Sequence, residues 1–329
     1  MNVQATRTHQ RAQEATADQA AAAVTEVWDR VDPDDIGRSW AGLVPRATTI
    51  LAASQLAAAL GATEYLDELL GMAAPALSGV AAGALSGVAS DGRSLETLLL
   101  QPGITTRTLI QRGVPPTRAL MSGRVQLHTI ATTQTADAAR AAEQLGMAVR
   151  PRVVAYTRVV SAKACSRCMI LAGREYSWST GFLRHPRCKC TMRPLRIGER
   201  VEGHDDPRDL FDGLTKAEQD RRFGRHAAEA IREGADMSQV VNARRGMTTA
   251  QARYTTEGTT RRGYAGRRLG NLTNRDGRYV RSATPRLMPE AIIRDARDRE
   301  HALELLYEHG YLTDPPATGA TDPAMGDTE

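Results

Sequence analysis

All four cysteines of the chain fall within 26 residues, as Cys165-Ser-Arg-Cys168 followed by His185-Pro-Arg-Cys188-Lys-Cys190. Two close pairs of soft sulfur ligands, 19 residues apart, have the spacing with which a chain wraps one tetrahedral ion. Zinc suits such a set because it accepts four thiolates at about 2.3 Å and brings no redox chemistry. The expected ligands are Cys165, Cys168, Cys188 and Cys190, with His185 as the alternative fourth ligand in a Cys₃His set. Pro186 is expected to fix the turn that presents the second pair. Lys163, Arg167, Arg184, Arg187 and Lys189 surround the cysteines and would offset the double negative charge of a Cys₄ zinc complex. Reduced thiols or disulfides are the alternative states of the same residues. A closed set of four protein ligands leaves no position for substrate, so the zinc expected here is structural.

The elements that must position these residues read as follows. A polar helix covers 8–31, and a second with a Leu-rich stripe covers 46–72. Residues 73–90 are Gly/Ala-rich, with Gly79, Gly83 and Gly87 at the four-residue spacing of a membrane-helix packing face. Pro75 and the shortage of large aliphatics make that run a buried helix or connector rather than a span. Short helical turns are expected over 94–100 and 105–111, then a long Ala/Thr-rich helix over 117–145 closed by Gly146. Residues 152–160 give the clearest strand signal and lead into Cys165, and a second short strand is expected over 174–178. A turn at 204–207, a helix over 215–233, a loop over 242–281 and a final helix from Pro289 to Glu308 complete the pattern, before a disordered tail from Thr313. The fold class expected is α+β, with a mostly helical N-terminal region, a small mixed centre carrying a Cys-rich knuckle, and a helical C-terminal hairpin. The divisions are 1–116 for helical docking, 117–200 for the cysteine core, 201–286 for a helix and Arg-rich arm, and 287–329 for the terminal helix and tail.

Charge is uneven along the 329 residues. The first 150 carry 12 Arg against 14 acidic residues, a net of −2, so the +5 total leaves +7 for the remainder. Ten arginines lie within 242–281, opposed by Glu257 and Asp276. Arg244, Arg245, Arg261, Arg262, Arg267 and Arg268 are candidates for nonspecific contact with DNA phosphates, and Tyr254, Tyr264 and Tyr279 for stacking on bases. A solvated or protein-facing loop in an Arg-biased proteome is the alternative. The first 23 residues are polar and Ala-rich, so no signal peptide is expected.

No H-E-x-x-H, G-x-S-x-G or Gly-rich phosphate loop is present, and no enzyme is expected. A serine protease using Ser177 or Ser179 with His185 would lack any motif. The residues Cys165, Cys168, Leu171-Ala-Gly173, Phe182, His185-Pro186, Cys188 and Cys190 resemble the phage Mu F-like minor capsid family, also called phage head morphogenesis proteins. Leu214-Thr-Lys-Ala-Glu218, Phe223-Gly224, Ala230–Asp236 and Val240–Met247 resemble the version carried by actinobacterial phages, and the resemblance covers roughly 90–312. The chain departs from that pattern at Arg187, where the family often has Asn, and at Ala162-Lys-Ala164, where polar or acidic residues are frequent. The resemblance implies a structural minor capsid protein in the virion head, with assembly in the host cytoplasm. Its implied partners are portal, scaffold and major capsid proteins, with packaged DNA possible and no membrane. A capsid maturation protease and a nonspecific DNA-binding virion protein are the alternatives.

Overall fold

Ala-rich sequence favours long helices that approach each other closely, and such helices dominate the first 148 residues. The computed structural model describes residues 3–182, 184–199, 205–244, 254–257, 272–275, 279–312 and 314–316. Helix α1 spans Val3–Trp28 and α2 spans Ile36–Leu70. Two short helices follow, α3 at Leu95–Leu99 and α4 at Gln101–Gln111, and α5 spans Pro116–Ala148. Helices α1, α2 and α5 pack on one another over most of their lengths.

Helix α2 begins ten residues before the expected start, with Asp35 capping it by accepting from the Arg38 backbone N–H, and Pro45 lies inside. Proline removes one backbone donor there. Tertiary packing outweighs that loss. Trp40 is buried, donates Nε1–H to the Leu99 carbonyl at 2.8 Å, and meets Trp28 edge-on at 4.8 Å. Helix α4 starts at Gln101, so Pro102-Gly103 opens it rather than halting the chain, as first-turn proline permits. Helix α5 passes through Gly146, which works as a close-packing point and not as a stop: a Cβ there would overlap the Leu66 side chain.

The same logic holds at Gly123, where a Cβ would overlap Thr106 Oγ1 and the Trp28 ring. Gly123→Ala is therefore expected to destabilise by about 2 kcal/mol through overpacking, despite alanine's better helix propensity. Urea denaturation followed by Trp fluorescence measures this, and a gain in stability would refute the close contact.

Residues 72–90 do not form a helix; they hold 3₁₀ turns at Gly71–Ala73 and Ala82–Leu85. Among the described residues, one helix, Ile36–Ala73, is long and apolar enough to cross a membrane by length and composition. In this structure one face of it forms the bundle core, through residues such as Val44, Leu51, Ala59 and Leu66.

Beyond the bundle, strands β1 (Val153–Val159), β2 (Glu175–Ser177) and β3 (Thr191–Arg196) make an antiparallel sheet in the order β2-β1-β3. Tyr156 on the central strand faces Tyr176 on one side and Pro194 on the other. Proline fits because β3 is an edge strand, with one side free of ladder demands. Between β1 and β2 lies the single-turn helix α6, Ser166–Met169.

The chain forms two compact units, one of residues 1–164 and 171–205, the other of 165–170 and 206–329. The first holds helices α1 to α5 and the β1–β3 sheet. The second holds α7 (Pro207–Asp212), α8 (Lys216–Phe223), α9 (Arg225–Arg232) and α10 (Met237–Ala243). The single helix expected over 215–233 is thus two, broken at Gly224, whose φ of +85° no helix continues. Thr215 and Glu218 form a reciprocal capping box at the start of α8.

The segment 242–281, expected as a loop, contributes β4 (Tyr254–Glu257), β5 (Leu272–Arg275) and the start of β6 (Tyr279–Leu287), in the order β4-β6-β5. The final helix is also two, α11 at Pro289–Asp295 and α12 at Arg299–Glu308, the second capped by Asp298. Buried Arg286 donates to the His309 carbonyl at 3.0 Å and lies 4.5 Å from the Tyr311 ring centroid. The class is α+β.

Candidate metal centre

Strand β1 delivers the chain to the first cysteine pair. Cys165 precedes α6, and its carbonyl accepts from the N–H groups of Cys168 and Met169, both at 3.0 Å. One helical turn therefore puts the two side chains on the same side, as residues three apart must be. Gly173, with φ +66°, then turns the chain back to pair with Arg158: its N–H donates to the Arg158 carbonyl at 2.9 Å, and Arg158 N–H donates to Arg174 at 3.0 Å.

The second pair is built by a tight turn. Cys188 N–H donates to the His185 carbonyl at 3.1 Å, and Pro186 sits inside this turn as the sequence indicates. Arg187 has φ +65°, the one non-glycine residue with positive φ among the described residues. Asparagine tolerates this region better than arginine does. Helix α5 holds the strained turn in place: Thr133 Oγ1 accepts from Arg187 N–H at 3.0 Å.

Cys168, Cys188 and Cys190 are buried, and the sulfurs of Cys188 and Cys190, both in the first unit, lie within 4.8 Å of each other. The sulfurs of Cys165 and Cys168, both in the second unit, are equally close to each other. None of the four cysteines is joined in a disulfide. Sulfurs 2.3 Å from a tetrahedral ion stand about 3.8 Å apart, so each cysteine pair has the spacing of two ligands on one metal ion.

The charges around the cysteines differ from the sequence reading. Lys189 is turned towards α1, with Nζ 2.8 Å from Asp18 and 3.1 Å from Glu14. Arg184 forms a two-point pair with Asp137 on α5. Two other arginines do the work at the second pair. Arg140 on α5 donates Nη1–H to the carbonyls of Cys188 and Cys190 at 3.0 and 3.2 Å, and it is also ion-paired to Asp137. Arg158 on β1 places Nη2 3.6 Å from Cys188 Sγ and 3.5 Å from Cys190 Sγ. Burial pushes the Asp137 carboxyl up, but the hydrogen bonds and charges of Arg184 and Arg140 together hold it below the usual carboxylate range. The one sequence signal for Arg158 is a charge inside the apolar run Val153–Val160.

A second buried network ties the bundle to β3. Glu143 on α5 accepts from His9 on α1 at 2.8 Å, from the Thr191 hydroxyl and from Met192 N–H at 3.2 Å. His9 stacks on Tyr65 at 4.1 Å, and burial pushes the Tyr65 phenol far up, so it stays a neutral donor to the Met192 carbonyl.

The other candidates fare differently. Ser177 and Ser179 are exposed, with their hydroxyls 3.1 Å apart, and His185 Nδ1 sits 2.7 Å from the Pro186 carbonyl. Arg244 donates Nε–H to Glu290 at 2.8 Å and a second N–H to the Phe223 carbonyl, so its guanidinium is used inside the second unit. Arg245, Arg261, Arg262, Arg267, Arg268, Tyr264 and most of the tail from Thr313 lie outside the described residues. Tyr254 is exposed.

An α+β protein with a small-residue helix bundle and buried, closely spaced cysteines is the class these features define. The chain belongs to the VG15 protein family, whose model matches residues 1–217. This is a viral family of phages, which places the chain's role broadly in a virion or an infected cell. No curated protein and no solved structure gives a significant match.

Proposed function

We propose that this chain is a minor structural protein of a tailed phage, acting with portal, scaffold and major capsid proteins during head assembly and retained in the head. It holds one structural zinc through Cys165, Cys168, Cys188 and Cys190, with His185 as the alternative fourth ligand. The observation that carries the reading is the family match over residues 1–217, which contains the helix bundle and the whole cysteine block. The Mu F-like resemblance of the cysteine motif supports the head assignment. A set of four protein ligands supports a staple rather than a catalyst.

The test is quantitative mass spectrometry of purified virions, together with a nonsense mutant of the gene. The expected result is a few copies of the chain per particle and, in the mutant, aberrant or empty heads. Absence from particles, with normal heads in the mutant, would end the proposal. Metal analysis of protein purified without chelator should give one zinc per chain; a value near zero with four titratable thiols in the folded protein would end the zinc reading.

A further inference from the structure

Arg158 is 1 % exposed, and its backbone N–H and C=O are both paired with the Gly173–Arg174 side of β1. The guanidinium face lies 4.3 Å from the centroid of Phe182, and Nη2 reaches both sulfurs of the second cysteine pair. Burying a guanidinium is costly unless anions lie beside it. A neutral thiol is a weak acceptor, whereas a metal-bound sulfur carries negative charge because binding has displaced its proton.

We propose that Arg158 is a positioning residue of the metal centre, donating to the metal-bound sulfurs of Cys188 and Cys190 and neutralising one of the two negative charges that four thiolates leave on a divalent ion. This rests on the zinc reading above. With a Cys₃His set, the same arginine would make the site neutral. Arg140 complements it by fixing the carbonyls of the same two cysteines, so one arginine meets the sulfurs and the other the backbone. A hydrogen bond to a bound thiolate draws electron density from sulfur. It therefore slows sulfur reprotonation and release of the ion, and it raises the energy of sulfur-to-metal charge transfer.

The test uses the full chain and its Arg158→Gln and Arg158→Lys variants, each loaded with zinc or with cobalt. All three should bind one equivalent of metal. Arg158→Gln should surrender zinc to a competing chelator about 10–100-fold faster, the usual effect of removing an outer-shell partner. Its sulfur-to-cobalt band should move to longer wavelength, and Arg158→Lys should fall between. A merely structural role would leave the band unmoved in the folded variant. Release and band positions equal to wild type in Arg158→Gln would overturn the inference while leaving the zinc reading intact. Failure of the wild-type chain to take up zinc would instead remove the zinc reading, and this inference with it. If Arg158→Gln does not fold, Arg158→Lys decides, since one ammonium cannot reproduce the planar fork: wild-type release and wild-type band position in that variant would overturn the inference.

Discussion

Replacing both Cys188 and Cys190 by serine is expected to reduce bound zinc from one equivalent to below about 0.1, because two remaining ligands cannot hold a tetrahedral ion. The structural effect should be large and local. Binding free energy at a structural zinc is folding free energy, and β3 starts at Thr191, directly after Cys190. Without the ion, the loop carrying the pair keeps the Arg140 bonds to its carbonyls but loses the attraction that sets its sulfurs. A loss of roughly 5 kcal/mol corresponds to a fall of about 10–20 °C in Tm for a unit of this size. Helices α1, α2 and α5 have their own core around Trp28, Trp40, Leu51 and Leu127, so far-UV circular dichroism at 25 °C should change little. Chelation of the wild-type protein should lower Tm by the same amount and add nothing to the double variant. A double variant with wild-type Tm would show that the site is dispensable.

Asp137→Asn is expected to cost about 3–5 kcal/mol at pH 7, as breaking one side of a buried ion pair does. Its partners are Arg140, whose side chain is 8 % exposed, and Arg184, at 39 %, which pairs with it through two nitrogens. The pH dependence has a definite sign. The Asp137 carboxyl titrates below its usual range in the folded chain. The stability it supplies is therefore complete above its unfolded pKa of about 4 and is lost as pH falls through the lower folded value. Urea midpoints between pH 7 and 3 should show the gap between wild type and Asp137→Asn closing as the medium is acidified. A gap that is constant with pH would assign the loss to packing and not to charge.

Much of the first unit is legible in the chain because its information is local. Apolar periodicity marks α2 and α5, β-branched residues mark β1, and the clustered cysteines announce their own chemistry. What escapes has long-range causes. Strand β3 reads as Thr-Met-Arg-Pro-Leu-Arg, with no alternation, and becomes a strand because β1 offers it an edge. The start of α2 is set by Trp40 finding Leu99, 59 residues away. The break at Gly224 was written locally, yet helical residues on both sides concealed it. At the site, the ligands could be chosen from spacing, but the arginines that serve them could not. Lys189 and Arg184 are adjacent in sequence and turn to carboxylates, whereas Arg140 and Arg158 come from α5 and β1, 48 and 30 residues before Cys188.

The left-handed turn at Arg187 has a consequence for the order of events. An arginine held at φ +65° costs about 1 kcal/mol or more, and the bond from its N–H to Thr133 on α5 helps to hold it there. A chain whose bundle is still unformed would let this turn relax, and the sulfurs of Cys188 and Cys190 would diverge with it. Ion uptake would thus follow completion of the bundle, so a loaded centre would act as a proofreading mark that separates finished molecules from unfinished ones.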